Sequence, residues 1–203
     1  MDCFSGDADS DTRLAACTSS INDETLSDAL RARALLARSE MRRQNRDLDD
    51  ALADINAAEQ FGDIDNAARL TRARLLWFTG RSDDALDDLD LVIGADPGLT
   101  DAYLLRAEIL LGIGQTDLAM TDLGEVRRLN PNDPGPFRVR GRTFLRTGDA
   151  AAAVGELQQA VALDESDRAS LSLLGTAQLR AGRPTAAIQS FDALLEQSPD
   201  NVE

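Results

Sequence analysis

Residues 100–133 read TDAYLLRAEILLGIGQTDLAMTDLGEVRRLNPND, and this stretch of 34 residues decides the fold. Its glycine at 114 recurs at 80, 148 and 182, and its alanine at 119 recurs at 51, 85, 153 and 187, always at an interval of 34 residues. With each glycine at the fifteenth place, the chain divides without insertion into windows 32–65, 66–99, 100–133, 134–167 and 168–201, and only the first departs, with Arg46 in place of Gly. The eighth place is always small (Ser39, Ala73, Ala107, Gly141, Gly175), and four places after the alanine stands a large apolar residue: Ile55, Leu89, Leu123, Leu157 and Phe191. Small residues let two antiparallel helices approach, and an i, i+4 spacing sets the alanine and the apolar knob on one helical face. Units of this length bury their apolar faces only by stacking, so the pattern predicts a solenoid of helical hairpins.

The boundaries of each hairpin follow from local chemistry. A glycine at the fifteenth place tolerates the left-handed conformation that ends a helix. Ser82, Asp117 and Asp149 stand where the second helix begins and are candidates to accept its free amides. Pro97, Pro131 and Pro199 end that helix before the next window. The cluster from Asn130 to Pro136 is expected to be a stiff loop, with Asp133 capping a helix that has Pro134 in its first turn.

Composition excludes much of catalysis. All 21 basic residues are Arg, with no Lys and no His, against 36 acids, for a net charge of -15. Without His there is no Ser-His-Asp or Cys-His machinery and no imidazole ligand for a metal; without Lys there is no Walker-type phosphate loop and no Schiff base. An acid-based hydrolase would need a paired set of carboxylates in a suitable setting, and none stands out. The chain is therefore expected not to be an enzyme and to use no cofactor. The negative charge disfavours nucleic acid and anionic membrane as partners, and no apolar run is long enough to span a bilayer.

That charge is segregated. The first fourteen places of the five windows hold 14 Arg and 3 acids, whereas the remaining places hold 5 Arg and 25 acids. Arg38, Arg72, Arg106 and Arg140 occupy the seventh place of four windows, and Asp54, Asp88, Asp122 and Glu156 the twenty-third place of the same four; the fifth window loses both, to Leu174 and Ser190. This joint presence and absence predicts four structural ion pairs between packed helices.

Small residues at places eight and twenty, an aliphatic or aromatic residue at twenty-four and a terminal proline together resemble the tetratricopeptide repeat family over residues 32–201. Window 100–133 is the cleanest, with Tyr103, Ala107, Leu110, Gly114, Ala119, Leu123 and Pro131 at family positions; Arg69, Asp63 and Glu165 depart from the pattern. The resemblance implies an all-α, right-handed α-solenoid of helix-turn-helix repeats that binds a protein or peptide and catalyses nothing. In that family the first helices line a concave groove, chiefly through places two, five, nine, twelve and thirteen. Here those places hold Arg33, Arg43, Arg74, Trp77, Phe78, Leu104, Leu111, Arg138, Arg142, Leu145, Arg146 and Arg180. Arg138, Arg142 and Arg146 follow at i, i+4, i+8, a stripe suited to an extended acidic peptide, because guanidinium forks bind carboxylates while apolar neighbours supply anchors. The alternative is a solvated charged face balanced by nearby acids, with Trp77 and Phe78 as packing residues. The family's carboxylate-clamp variant uses Lys and Asn in the groove, and neither occurs at these places.

Residues 1–31 lie outside the windows and form an N-terminal capping region with both cysteines, Cys3 and Cys17. Asp7, Asp9 and Asp11 begin like a calcium loop, but Thr12 and Thr18 stand where Gly and the bidentate Glu belong. The expected structure is instead a helix capped by Asp9 or Asp11 and running to about Ile21. Residues 1–20 contain no signal-like apolar stretch, which taken literally points to the cytosol. A paired cysteine at a loose terminus points the other way, to a disulfide in an oxidising compartment. The phrase Cys-Phe-Ser-Gly-Asp followed by Arg-Leu-Ala-Ala-Cys-Thr resembles exported bacterial tetratricopeptide proteins, in which such cysteines are bridged. The resemblance implies a periplasmic or otherwise exported chain whose signal peptide Met1 replaces; a cytoplasmic adaptor or assembly chaperone with free thiols is the alternative. At the other end Ile188, Phe191 and Leu195 line one side of the last helix, and homodimerisation through that repeat is expected.

Overall fold

Each turn glycine takes the conformation its place requires. In the computed structural model Gly80, Gly114, Gly148 and Gly182 have φ of 82°, 84°, 89° and 72°, and Arg46 holds the same left-handed conformation at φ 67° despite its Cβ. Every one of these residues follows a first helix and reverses the chain into a second. The structure describes residues 2–4 and 9–197; Asp7, Pro199 and the end of the fifth window lie outside them.

The described residues form a short 3₁₀ helix (Asp2–Phe4) and helices α1 (Ser10–Asn22), α2 (Asp28–Gln44), α3 (Leu48–Glu59), α4 (Asn66–Phe78), α5 (Ser82–Ala95), α6 (Thr100–Gly112), α7 (Thr116–Leu129), α8 (Gly135–Thr147), α9 (Ala150–Leu163), α10 (Arg168–Arg180) and α11 (Pro184–Glu196). No strand occurs among them. The fold is all-α, built from antiparallel helical hairpins, and the chain divides into two units, Met1–Pro97 and Gly98–Glu203.

In unit 1, α2 pairs with α3 and α4 with α5, α1 packs on α2, and α4 rests on α3. The 3₁₀ helix is tied to α1 by a Cys3–Cys17 disulfide. Both cysteines are fully buried against Ala34 and Met41 of α2, with Leu14, Ile21 and Ala37 around them. Asp9 caps α1 by accepting from the Thr12 amide at 2.9 Å, and α1 is helical from Ser10 through Thr18, so the calcium-loop reading of this stretch does not hold.

In unit 2, α6–α7, α8–α9 and α10–α11 are the hairpins, and α6, α8 and α10 lie side by side. Its hairpins close tightly at two glycines. A Cβ on Gly141 would lie 2.5 Å from Leu157 Cγ, and one on Gly175 2.6 Å from the Phe191 ring. Each knob is the large residue at place twenty-four of the same window, seated on the bare Cα at place eight. The alanines at place twenty, Ala51, Ala85, Ala119, Ala153 and Ala187, are all fully buried.

The caps differ from the sequence reading at three places. Asp149 does cap α9, accepting from Ala152 at 2.9 Å, but Ser82 and Asp117 lie inside the first turns of α5 and α7, whose N-caps are Arg81 and Gln115. There the charge of Asp117 acts on the helix dipole without a capping bond. Asp133 accepts from Gly135 at 2.7 Å, while Pro134 is itself the N-cap of α8, one residue before the first turn.

Candidate functional site: the first-helix faces

Two sets of arginines leave the first helices, and their surroundings separate them. The seventh-place set turns toward the second helix. Arg38 grips Asp54 with Nε and Nη2 at 2.9 and 2.6 Å, Arg72 grips Asp88 at 2.7 and 2.7 Å, and Arg106 grips Asp122 at 2.8 and 2.7 Å. Arg140 reaches a single Glu156 oxygen through Nε at 2.9 Å and Nη2 at 2.8 Å. Asp54, Asp88 and Asp122 are buried, which a carboxylate tolerates only with a charged, hydrogen-bonded partner. The Arg106 and Arg140 guanidiniums also lie over the rings of Tyr103 and Phe137, three residues earlier on the same helix face.

Two of these rungs extend to a neighbouring element. Arg38 donates to Thr18 Oγ1 of α1, and Asp54 takes a second guanidinium from Arg42 at 2.8 Å. Arg72 is shared between Asp88 of α5 and Glu59 of α3. The Arg72 hydrogen bond holds the Glu59 carboxyl below the usual range, and the Asp88 and Glu59 carboxylates hold the Arg72 guanidinium above its own. In the fifth window the polar pair is replaced by a neutral contact, Ser190 Oγ donating to Gln178 Oε1 at 2.8 Å.

The second set comprises the groove candidates, and the structure disperses them. In unit 1, Arg33 stacks over Phe4 at 4.9 Å, and Arg43 is held by Glu40 on its own helix, which lowers the Glu40 pKa and raises that of Arg43. Arg74 and Trp77 are half-buried on α4, and Phe78 is 64% exposed. Between α2 and α4 opens a cleft of about 240 Å³, with Ile55 among its lining and Leu36, Ser39, Glu40, Ala67 and Thr71 around it.

In unit 2, two of the apolar candidates are corrected. Leu104 is buried, because Gly135 lets the start of α8 close on its methyl groups, and Leu145 is buried with Leu157, Leu174 and Ala177. Neither is offered to a ligand; Leu111 stays half-buried. The stripe on α8 is likewise divided. Arg138 binds Asp167, the N-cap of α10, and Arg142 binds Glu108 of α6 at 3.0 Å. Burial alone would raise the Asp167 pKa, yet hydrogen bonds from Ser170 and Arg138 bring it below the ordinary value. Arg146 is exposed, and Arg180 donates Nη1 to the Leu145 carbonyl at 3.0 Å.

Partners such as Glu59, Glu108 and Asp167 were not singled out from the sequence. Glu108 and Arg142 share the ninth place of successive windows, 34 residues apart, and that column was the available signal. No group of three or more acids and cysteines among the described residues is set to hold a metal ion, and no described helix is long and apolar enough to cross a membrane.

Hairpins of this size, with small residues at their crossings and glycine turns at a fixed period, match a family model described as tetratricopeptide repeat over residues 70–134 and 138–202. The chain belongs to the tetratricopeptide repeat family. Among solved structures it is similar to TTC0263, a thermophilic repeat protein of Thermus thermophilus, with TM-score 0.67 and 22% identity over 84% of this chain and 93% of that one. A repeat protein from Parabacteroides merdae gives TM-score 0.69 and 14% identity over 94% of this chain and 74% of that one. YrrB, whose structure is described as that of a repeat protein with an unusual peptide-binding site, gives TM-score 0.54 and 18% identity over 93% and 95%. At these identities the likeness is one of fold. No curated protein gives a significant sequence match. Tetratricopeptide repeats are generally non-enzymatic scaffolds for protein–protein interaction, and this chain has that fold.

Proposed function

We propose that the chain is a non-enzymatic scaffold of five repeats spanning residues 32–201, which holds an acidic peptide or protein against its first helices in a bacterial envelope. The observation that carries this reading is the side-by-side packing of α6, α8 and α10, whose outward positions include the exposed Arg142, Arg146 and Arg180. Glu108 and Asp167 answer Arg142 and Arg138 on this face, but Arg146 and Arg180 form no ion pair with a described residue, so a segment laid along α8 and α10 meets positive charge in a chain that is negative overall. The peptide-binding site named for YrrB makes such a use of the fold reasonable. In unit 1 the exposed Phe78 and half-buried Trp77 beside Arg74 would supply apolar anchors.

The buried Cys3–Cys17 disulfide supports an oxidising compartment. Recovery of two free thiols from protein alkylated in its native compartment, without reductant, would favour instead a cytosolic adaptor. Homodimerisation through α11 draws support from Ile188 and Leu195, 59% and 56% exposed; a monomeric mass across micromolar concentrations by sedimentation would remove it.

The scaffold reading is tested by crosslinking and mass spectrometry in native extract. Wild type should crosslink one partner to α4 or α8, and Arg74→Glu/Phe78→Glu or Arg142→Glu/Arg146→Glu should lose it. Equal recovery by all three proteins would sink the reading.

A further inference from the structure

Arg146 and Arg180 are the same residue in the same place of successive repeats, 34 apart at the thirteenth position of windows four and five. Because α8 and α10 pack against each other, the repeat sets the two at neighbouring ends of adjacent helices. Arg180 narrows this further: its Nη1 bond to the Leu145 carbonyl pins its guanidinium beside residue 146, and no other described residue takes up its remaining N–H donors.

Among the described residues, nothing answers the charges of these two. Arg106, Arg138, Arg140 and Arg142 lie on the same three helices and pair with Asp122, Asp167, Glu156 and Glu108. Arg146 and Arg180 make no ion pair with any described residue, in a chain with 36 acids available. Both are exposed.

We propose that Arg146 and Arg180 form a seat for one carboxylate of a bound peptide, at the C-terminal ends of α8 and α10. The inference rests on the scaffold reading and names the chemistry that its unit 2 face selects. Two guanidinium forks meeting a planar carboxylate give parallel charge-assisted hydrogen bonds, which a point charge cannot. The C-terminal dipoles of the two helices oppose an anion there, but each is equivalent to only about half a negative charge, against a full positive charge on each arginine. The net charge of -15 then limits what can approach: a polyanion such as nucleic acid or an anionic membrane is repelled by the rest of the chain, whereas a single carboxylate meets mainly the two arginines. The carboxylate comes either from a peptide's C-terminus or from an Asp or Glu side chain.

The test uses the full chain and three pools of short randomised peptides: one with free C-terminal carboxylates, one amidated, and one amidated and lacking Asp and Glu. Wild type should retain peptides from the first pool, the second or both, but not the third. Loss on amidation identifies an α-carboxylate; loss only when Asp and Glu are removed identifies a side chain. For the tightest peptide, measured by fluorescence anisotropy, Arg146→Ala should weaken binding about tenfold or more and flatten its salt dependence. Arg146 holds no other described group, so the unfolding midpoint of Arg146→Ala should not move; Arg180→Lys keeps the charge but loses the fork, so it should weaken binding severalfold, and wild-type affinity in that variant would reject a seat made of two forks. If Arg146→Ala binds like wild type while Arg142→Glu does not, the seat is wrong and the scaffold reading stands. Equal retention from all three pools also rejects the seat, and no retention from any rejects both.

Discussion

Units 1 and 2 are written in one 34-residue pattern and held together by different means. Unit 1 places Ser39 and Ala73 at the helix crossings and binds its hairpins with shared ion pairs: Asp54 receives Arg38 and Arg42, and Arg72 joins α4 to both α5 and α3. Unit 2 places Gly141 and Gly175 at two of its three crossings and seats Leu157 and Phe191 on the bare backbone. The Arg140–Glu156 rung beside the Gly141 crossing is correspondingly open, with 20% and 25% of the side chains exposed, against 12% and 6% for Arg72 and Asp88, whereas Asp122, beside the Ala107 crossing of the same unit, stays buried on Arg106. A repeat pattern thus fixes where two helices must meet, and leaves open whether charge or close contact holds them.

The largest effect follows from the buried rung. Asp88→Ala should cost about 3–5 kcal/mol in urea unfolding, because Arg72 would remain buried with Glu59 as its sole acid. Replacing both partners, as in Arg72→Met/Asp88→Leu, should recover most of that loss, since neither charge is then stranded. Glu156→Ala in unit 2 should cost about 1 kcal/mol or less, because water can solvate the freed Arg140. Equal losses at Asp88 and Glu156 would erase the distinction between the alanine-crossed and the glycine-crossed rungs.

A second effect is confined to unit 1. Opening the Cys3–Cys17 loop, by reduction or by Cys3→Ser/Cys17→Ser, should cost about 3 kcal/mol for a loop of this length. Hydrogen exchange should place the loss in α1 and α2, whose buried residues surround the sulfurs, with α8–α11 unchanged. Acceleration in α8–α11 would show that the two units do not open separately.

The close contacts of unit 2 come next. Gly175→Ala should cost about 1–3 kcal/mol, because the new methyl would stand 2.6 Å from a ring held by its own packing, and Gly141→Ala should behave alike. Ala73→Gly in unit 1 tests the converse: it removes a fully buried methyl and adds freedom to the unfolded chain, so it should cost about 1 kcal/mol or more. Stabilisation by Gly175→Ala would mean that Phe191 moves aside freely.

The fold was legible because its signals are columns: a turn glycine, a small crossing residue and a knob recur at one interval, and tertiary packing had nothing to override. The groove was less so. Family positions five and twelve pointed outward to Leu104 and Leu145, but Gly135 draws α8 onto the first, and the α9–α10 core takes in the second. Arg138 and Arg142 looked free because their acids come from other places in the repeat pattern, Asp167 by way of a helix cap and Glu108 from the repeat before. Nearness in the folded chain, not composition of a half-repeat, decides which charges are left over.

The smallest effect turns on the one turn at which unit 1 breaks the pattern. All of unit 2's first-helix turns use glycine, at φ 84°, 89° and 72°, whereas Arg46 adopts φ 67° with a Cβ that crowds its own carbonyl. A non-glycine residue held there costs about 1 kcal/mol. The Arg46 side chain is exposed and forms no ion pair with a described residue that would offset the cost. Arg46→Gly should therefore raise stability by slightly less than this amount, because glycine also adds freedom to the unfolded chain. Gly148→Ala should lower it by a similar amount at the matching turn of unit 2, where nothing crowds an added methyl and the strain lies in the backbone alone. Opposite signs at these two turns would show that the fifteenth place asks for the same backbone in both units, and that only the residue supplied differs. A loss at Arg46 would mean that its side chain contributes a contact worth more than the strain it carries.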